Sequence, residues 1–157
     1  MPLSSSPAKA QGEEVEVRFL LKALTLGLAV SQPYGDNVPY DFLVDNGRRI
    51  FRVQVKSATR FDLGSYRLST ARGGRQKSPY SAHEIDFLAA YIIPEEAWYL
   101  LPVRAFAPRK SLRLCPRNGR PGSRPLRLER YREAWRLLTG TADGAPRSRL
   151  PLARTWG

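Results

Sequence analysis

The chain has 157 residues, a length that suits a single domain with one hydrophobic core. Its 26 Lys and Arg residues outnumber its 14 Asp and Glu residues, leaving a net charge of +12. Such a charge favours a polyanion or an anionic membrane surface as the partner, unless it serves only solubility. The single cysteine, Cys115, excludes an internal disulfide framework and a Cys-rich zinc site.

Neither a membrane span nor a signal peptide is predicted. The longest apolar run, FLLKALTLGLAV, is short for a span and is interrupted by Lys22. The first dozen residues contain Ser, Pro, Ala and Gly without an apolar block. Together with the lone cysteine, these features predict a cytoplasmic protein that does not enter a membrane.

The predicted elements begin with a disordered arm at residues 1–11, followed by a helix over residues 13–27 that ends at Gly27. The helix is indicated by apolar residues at helical spacing: Val15, Phe19, Leu20, Ala23 and Leu24. A β-hairpin follows over residues 40–58, YDFLVDNGRRIFRVQVKSA, with Asn46-Gly47 as its turn.

The rest of the chain adds strands and a second helix. A third strand is predicted near residues 65–69, followed by a basic, glycine-containing loop. The apolar runs IDFLAAYII and WYLLPV predict neighbouring strands, the first of them covered on both faces. LRLERYREAWRLLTG predicts a helix that ends at Gly140, and residues 140–157 read as a loose basic tail. We therefore expect one α/β domain over residues 12–139, with a mixed central β-sheet flanked by helices.

The hairpin carries polar side chains where a half-buried strand is expected. Residues two apart on a strand share a face, so Gln54 and Lys56 point one way while Val53 and Val55 point the other. If residues 46 and 47 form the turn, Asp41 lies opposite Arg52 and on the face of Gln54 and Lys56. A three-residue turn would reverse this parity.

The helix supplies a further carboxylate. Glu16, Leu20, Ala23 and Gly27 form one stripe that would pack against the sheet and bring Glu16 near Asp41. Glu13, one turn earlier, is the substitute candidate.

Other interpretations of these residues remain open. Asp41 could cap a turn or pair with Arg52, and Glu16 could be a solvated acid in the first turn of a helix. Gln54 and Lys56 could lie on a solvated strand face.

Asp41, the Gln54-Val55-Lys56 run after a hairpin, and Glu16 on a preceding helix resemble the PD-(D/E)xK nuclease superfamily. Within it, they most resemble the intron-associated homing endonucleases that carry glutamine in the second acidic position. The resemblance also takes in PYGDNVPYD, YSAHEIDFLAAY, WYLLPV and SLRL. It covers roughly residues 12 to 115, leaves the second predicted helix and the tail unmatched, and implies a restriction-endonuclease-like core and a homo-oligomer, either a dimer or a tetramer.

The resemblance also implies a catalytic centre. Asp41, Gln54, Lys56 and Glu16 would be the catalytic residues, and Mg²⁺ or Mn²⁺ would bind Asp41, Glu16, the Gln54 side-chain oxygen and the Val55 carbonyl. Lys56 would orient the attacking water or offset negative charge in the transition state. Because Gln54 is neutral where most relatives have a carboxylate, we expect the metal to bind more weakly than in those relatives.

DNA contacts are expected from the basic elements around STARGGRQKS, whose glycines allow close approach of the backbone to a phosphate. The candidates are Arg60, Arg67, Arg72, Arg75, Lys77 and Tyr80. The alternative is a solvated loop. Asp86 is expected to be structural, bonding to the loop of the third strand, and His83 to have a capping or surface role.

These features predict a magnesium-dependent endonuclease that cuts double-stranded DNA. Three rivals stay open: a Holliday junction resolvase-like nuclease, a catalytically inactive DNA-binding module, and a basic protein that binds RNA or the ribosome. A role in binding RNA or the ribosome would give no reason for Asp41 to share a face with Gln54 and Lys56.

Overall fold

The computed structural model of the chain describes residues 6–117 and 127–141. Over those ranges, the helices are α1 (Pro7–Thr25) and α2 (Arg136–Thr139). The strands are β1 (Ala29–Ser31), β2 (Phe42–Asp45), β3 (Ile50–Ala58), β4 (Phe61–Asp62), β5 (Ser65–Ser69), β6 (Ala71–Arg72), β7 (Ser78–Pro79), β8 (Phe87–Ile92), β9 (Ala97–Pro102) and β10 (Ser111–Leu114).

A five-stranded mixed sheet forms the centre, in the order β1-β2-β3-β8-β9. Strands β3 and β8 are parallel, and the other neighbours are antiparallel. A three-stranded sheet, β10-β5-β4, and the small β6–β7 hairpin complete the strands. The predicted class, a mixed central sheet with flanking helical elements, is confirmed.

The central sheet is covered on both faces, as the apolar sequence of β8 predicts. Helix α1 buries Val15 and Phe19 in the same cluster as Val53 and Val55 of β3. The opposite face of the sheet packs in a second cluster that includes Tyr66 and Leu68 of β5. All residues of β8 are buried as a result.

Helix α1 begins earlier than predicted. Ser6 caps it by accepting the Lys9 N–H on its side chain, and Pro7 occupies the first turn, where a missing N–H costs nothing. The predicted disordered arm is therefore wrong for residues 7–11, and the predicted boundary at residue 12 falls inside the helix; residues 1–5 lie outside the described ranges. The helix ends at Thr25, two residues before the predicted end, and Gly27 follows the capping residue Leu26 with a φ of 77°.

The β2–β3 hairpin has a longer turn than the sequence predicted. Asp45 pairs with Ile50 rather than with Arg48, because the Asn46 side chain accepts both the Arg48 and Arg49 N–H groups and holds a four-residue loop. The register is thus shifted by two residues. A shift of two keeps every side chain on its predicted face, so the parity argument holds although the individual pairs were wrong.

The predicted second helix is mostly absent from the described residues. A 3-10 turn at Glu129–Tyr131 and the four-residue α2 stand in its place. Glu133 interrupts the segment with a φ of 47°, its N–H donates to the Trp98 carbonyl, and its carboxylate accepts the Trp98 N–H and the Trp135 indole N–H. Pairing with β9 therefore overrides helical periodicity. Gly140 ends α2 as predicted, at a φ of 68°; residues 142–157 of the predicted tail lie outside the described ranges.

Within the described ranges, α1 and α2 are each too short or too polar to cross a lipid bilayer.

Candidate active site

Asp41 directly precedes strand β2, at the end of the paired part of strands β2 and β3. Its N–H donates to the Val53 carbonyl at 3.0 Å, while its Oδ2 accepts the Val55 N–H at 2.7 Å. The next backbone donor on the open edge of β3 is therefore satisfied by a side chain instead of a strand. The Asp41 carboxylate thus supplies the hydrogen-bond acceptor that a neighbouring strand would otherwise provide for the Val55 N–H. This hydrogen bond fixes Asp41 against β3.

Gln54 lies on the same side of this edge. Continuing the β2–β3 register places Asp41 opposite Gln54. The Gln54 Nε2 donates to Asp41 Oδ2 at 2.7 Å and to the Val55 carbonyl at 3.2 Å. The amide nitrogen of Gln54 thus links the two oxygens that were predicted to hold a cation.

Lys56 shares the face of Gln54 and sends its ammonium group towards Tyr80, with Nζ 6.0 Å from the ring centroid. The structure therefore brings Asp41, Gln54, Val55 and Lys56 together. Burial raises the pKa of the Asp41 carboxyl, and the Val55 N–H, the Lys56 charge and the Gln54 amide oppose that rise without cancelling it.

Glu16 reaches the site from helix α1 at the end of β3 that β2 leaves open. The neighbouring Gln11 side chain donates to the Ser57 hydroxyl at 3.2 Å, which joins the helix to that end of β3. Burial raises the pKa of Glu16, the negative charges of Asp41 and Glu13 raise it further, and Lys56 lowers it. Glu16 is thus an electrostatic neighbour of the site.

The buried stripe of α1 is offset by one residue from the predicted one. Val15, Phe19 and Ala23 face the core, whereas Glu16 and Leu20 are half-buried beside it. The offset leaves the Glu16 carboxylate at the margin of the core, where water or a cation can reach it.

The donor set suits a hard divalent cation. Carboxylate, amide and carbonyl oxygens from Asp41, Glu16, Gln54 and Val55 are the ligand types that Mg²⁺ and Mn²⁺ accept. Among the described residues no three His, Cys, Asp or Glu side chains gather in a way that could hold a metal, which is expected where one ligand is a glutamine. For Gln54 to bind a metal through oxygen, its amide must turn over and release Asp41 Oδ2.

The predicted DNA contacts differ in how far they are exposed. Arg60, Arg67, Arg75 and Lys77 are exposed. Arg72 is half exposed and forms an ion pair with Glu84. The structure contradicts the expectation that Tyr80 stacks on a base, because Tyr80 is only 3% exposed and its ring is covered.

Asp86 has the structural role expected of it, with a different partner. It accepts the Arg52 backbone N–H at 2.8 Å and the Arg52 Nε at 3.1 Å. The guanidinium of Arg52 also donates to the backbone carbonyls of Ala82 and His83. Arg52 is thereby occupied on β3 and does not pair with Asp41, and exposed His83 contributes only its backbone carbonyl.

Two residues around the site have roles that differ from those considered in the sequence analysis. Arg52 looked like the partner of Asp41 because the turn was taken as two residues long. Tyr80 looked like a surface aromatic because it follows a basic loop.

The chain matches a known protein family and resembles solved structures. A model of the PD-(D/E)XK endonuclease family matches residues 6–138. The structure resembles that of the bacterial homing endonuclease I-Ssp6803I, with a TM-score of 0.75 and 30% identity over 87% of this chain and 95% of that one. A Holliday junction resolvase from Archaeoglobus fulgidus matches with a TM-score of 0.44 and 20% identity, over 68% of this chain and 84% of that one. No curated protein matches the chain.

Proposed function

Because the chain belongs to the PD-(D/E)XK endonuclease family, we propose that it cuts double-stranded DNA by hydrolysing phosphodiester bonds with a bound Mg²⁺ or Mn²⁺ ion. The observation that carries the proposal is the meeting of Asp41 Oδ2, the Gln54 amide and the Val55 backbone at the open edge of β3, with Lys56 on the same face. A partly buried carboxylate with a raised pKa beside a lysine is a combination that clusters at functional sites.

The residues divide the chemistry among them. Asp41 and Glu16 would hold the cation through carboxylate oxygens, and Val55 and Gln54 would complete the ligand set through neutral oxygens. The bound cation would polarise the scissile phosphate and lower the pKa of a water molecule. Lys56 brings a positive charge to the same face, where it offsets negative charge on the phosphate or orients the attacking water.

The basic side chains would place the DNA. Arg75 and Lys77 are exposed near the β6–β7 hairpin, and this hairpin leads directly to Tyr80, beside Lys56. Arg60 and Arg67 are exposed on neighbouring segments. These cations would bind phosphates rather than bases, so affinity should fall steeply with salt.

The similarity to a homing endonuclease supports a specific duplex site as the substrate. A two-fold homo-oligomer, a dimer or a tetramer, would supply two active sites and so allow both strands to be cut in one encounter. Four-way junctions are the substrate that would separate this activity from that of a resolvase.

The test is cleavage of supercoiled plasmid DNA carrying candidate target sites, and of four-way junctions, in the presence of Mg²⁺. We expect the parent to convert plasmid to nicked or linear forms, and Asp41→Ala and Lys56→Ala to lose this activity while still binding DNA in Ca²⁺. Cutting by both variants at the parent rate would refute the catalytic assignment. DNA binding without cutting by the parent would identify an inactive binding module.

A further inference from the structure

Tyr80 lies at the active site but is not part of the proposed metal site. Its side chain is 3% exposed, and its ring centroid lies 6.0 Å from Lys56 Nζ. Among the described residues, Lys56 forms no ion pair with a carboxylate, although its charge acts on the Asp41 and Glu16 carboxyls. The Tyr80 ring lies at the limit of cation–π range from this ammonium group.

Tyr80 is itself held firmly. Its N–H donates to the Thr70 carbonyl at 3.2 Å, and the fully buried Thr70 donates its own N–H to the Lys110 carbonyl at 3.0 Å. The following residue, Ser81, donates its N–H and hydroxyl to Glu84 Oε2 at 3.0 and 3.1 Å. These bonds fix the backbone on both sides of Tyr80, and packing in the second hydrophobic cluster confines its ring.

We propose that Tyr80 is a positioning residue for Lys56, whose ring holds the ammonium group on the face of Asp41 and Gln54. A lysine side chain is a flexible stem with a strongly hydrated charge, and without a partner it samples many rotamers. The face of an aromatic ring attracts such a charge and limits those rotamers. This inference rests on the proposed nuclease function, because Lys56 matters only if the site is catalytic.

The aromatic ring, rather than the hydroxyl, carries this role. Burial raises the pKa of Tyr80 to about 12, the Asp41 charge also raises it, Arg72 lowers it and Glu84 raises it. The phenol therefore stays protonated at neutral pH and does not act as a base. Phenylalanine at this position should serve Lys56 as well as tyrosine does.

The burial of Tyr80 also separates its effect from DNA affinity. Arg75 and Lys77, which precede it, are exposed and available to phosphates, whereas the Tyr80 ring is covered. Removing the ring should slow the chemical step without weakening binding. Removal of a residue that only supported the basic hairpin would instead weaken DNA binding and leave the rate of the chemical step unchanged.

The experiment compares Tyr80→Phe, Tyr80→Leu and the matched control Tyr66→Leu. Tyr66 is 1% exposed and belongs to the same hydrophobic cluster, but its hydroxyl bonds to Glu95 and not to the active site. For each protein we would measure the melting temperature, the Kd for duplex DNA in Ca²⁺, and the single-turnover cleavage rate in Mg²⁺ at a temperature where all variants are folded.

We expect Tyr80→Phe to keep the single-turnover rate within about twofold of the parent, and Tyr80→Leu to lower it about ten- to hundredfold with an unchanged Kd. Tyr66→Leu should lower the melting temperature yet keep the rate. An equal loss in Tyr80→Phe and Tyr80→Leu, a parent-like rate in Tyr80→Leu, or an equal loss of rate in Tyr66→Leu would each overturn the inference. A parent that does not cut at all would instead refute the nuclease proposal on which it rests.

Discussion

The Asp41 carboxylate accepts the backbone N–H of Val55 at 2.7 Å, at the place where the neighbouring strand has ended. The same oxygen accepts the side-chain amide of Gln54. The Asp41 carboxylate therefore accepts hydrogen bonds at the edge of the sheet and would also bind the proposed cation. Mutation can separate the effect of its charge from the effect of its hydrogen bonds.

Asp41→Asn and Asp41→Ala should separate these two roles. Asparagine keeps an oxygen that can accept the Val55 N–H but removes the charge needed by a cation, so we expect cleavage to be lost while the free energy of unfolding stays near that of the parent. Alanine also leaves two donors without their acceptor, which should cost about 1–3 kcal/mol of stability. Urea denaturation with a plasmid assay checks both; efficient cutting by Asp41→Asn would contradict the role of the charge.

Gln54→Glu should strengthen metal binding and weaken the metal-free protein. The new carboxylate adds a charged ligand, and we expect Mg²⁺ to bind roughly tenfold more tightly. Without metal, the same group would face Asp41 as a like charge and lose the amide N–H bond to it, so the melting temperature should fall. Thermal melts with and without Mg²⁺ measure this: a Mg²⁺-induced rise no larger than in the parent would disprove the ligand position of Gln54.

Glu16→Gln should stabilise the metal-free protein at neutral pH. Burial, followed by the charges of Asp41 and Glu13, raises the pKa of Glu16 in the folded state. The stability that such a group contributes is fully present below its unfolded pKa and is lost as pH rises through the folded pKa. Removing the charge should therefore raise the free energy of unfolding at pH 7 by up to about 0.5 kcal/mol.

Glu14→Gln is the matched control for Glu16→Gln, because Glu14 is exposed on the same helix and pairs with Arg18. It should leave stability unchanged or slightly lower. Denaturation curves at acidic and neutral pH distinguish the two variants. If Glu16→Gln lowers the free energy of unfolding at neutral pH as much as Glu14→Gln does, then burial and the neighbouring charges do not disfavour the ionised form of Glu16.

Asp86→Ala should be the more damaging of two salt-bridge deletions. Asp86 has 19% side-chain exposure and accepts both the backbone and the guanidinium of Arg52, so its loss should cost about 2 kcal/mol. Asp62→Ala removes an exposed partner of Arg113 and should change stability by no more than about 0.5 kcal/mol. Equal effects in urea denaturation would argue against Asp86 as a structural anchor.

Protonation of Asp86 at acidic pH should also lower the free energy of unfolding. Burial alone would raise the pKa of this carboxyl, but hydrogen bonds and charge from Arg52 leave it below its ordinary value. A depressed pKa contributes stability above the unfolded pKa, and that stability is lost as pH falls through the folded pKa. Asp86→Ala should accordingly show a weaker loss of stability between neutral and acidic pH than the parent does.

Strand periodicity correctly predicted which side chains of the hairpin share a face, even though the predicted turn was wrong. The register differs from the prediction by two residues, and because the side-chain period of a strand is also two, Asp41 still shares a face with Gln54 and Lys56. The length of the turn depended on side-chain bonds from Asn46, which the Asn-Gly signal alone does not reveal.

The features that sequence could not predict depend on long-range contacts. The segment before Gly140 has helical periodicity, yet Glu133 bonds to β9 and breaks it. Tyr80 follows a basic loop, and only the folded chain shows that its ring turns inward against Lys56. The stripe on α1 was displaced by one residue because Phe19 packs against aromatic rings of other elements, including Phe42 and Trp98.

The most direct test of the account is Mn²⁺ binding to the parent, to Asp41→Asn and to Asp45→Asn, measured by calorimetry in the absence of DNA. Asp45 lies at the other end of β2, and its carboxylate accepts the Gly47 N–H, a bond that asparagine can preserve. We predict that the parent and Asp45→Asn bind Mn²⁺ alike and that Asp41→Asn binds it at least about tenfold more weakly. Equal binding by all three proteins, or none by the parent, would contradict a cation site at the edge of β3.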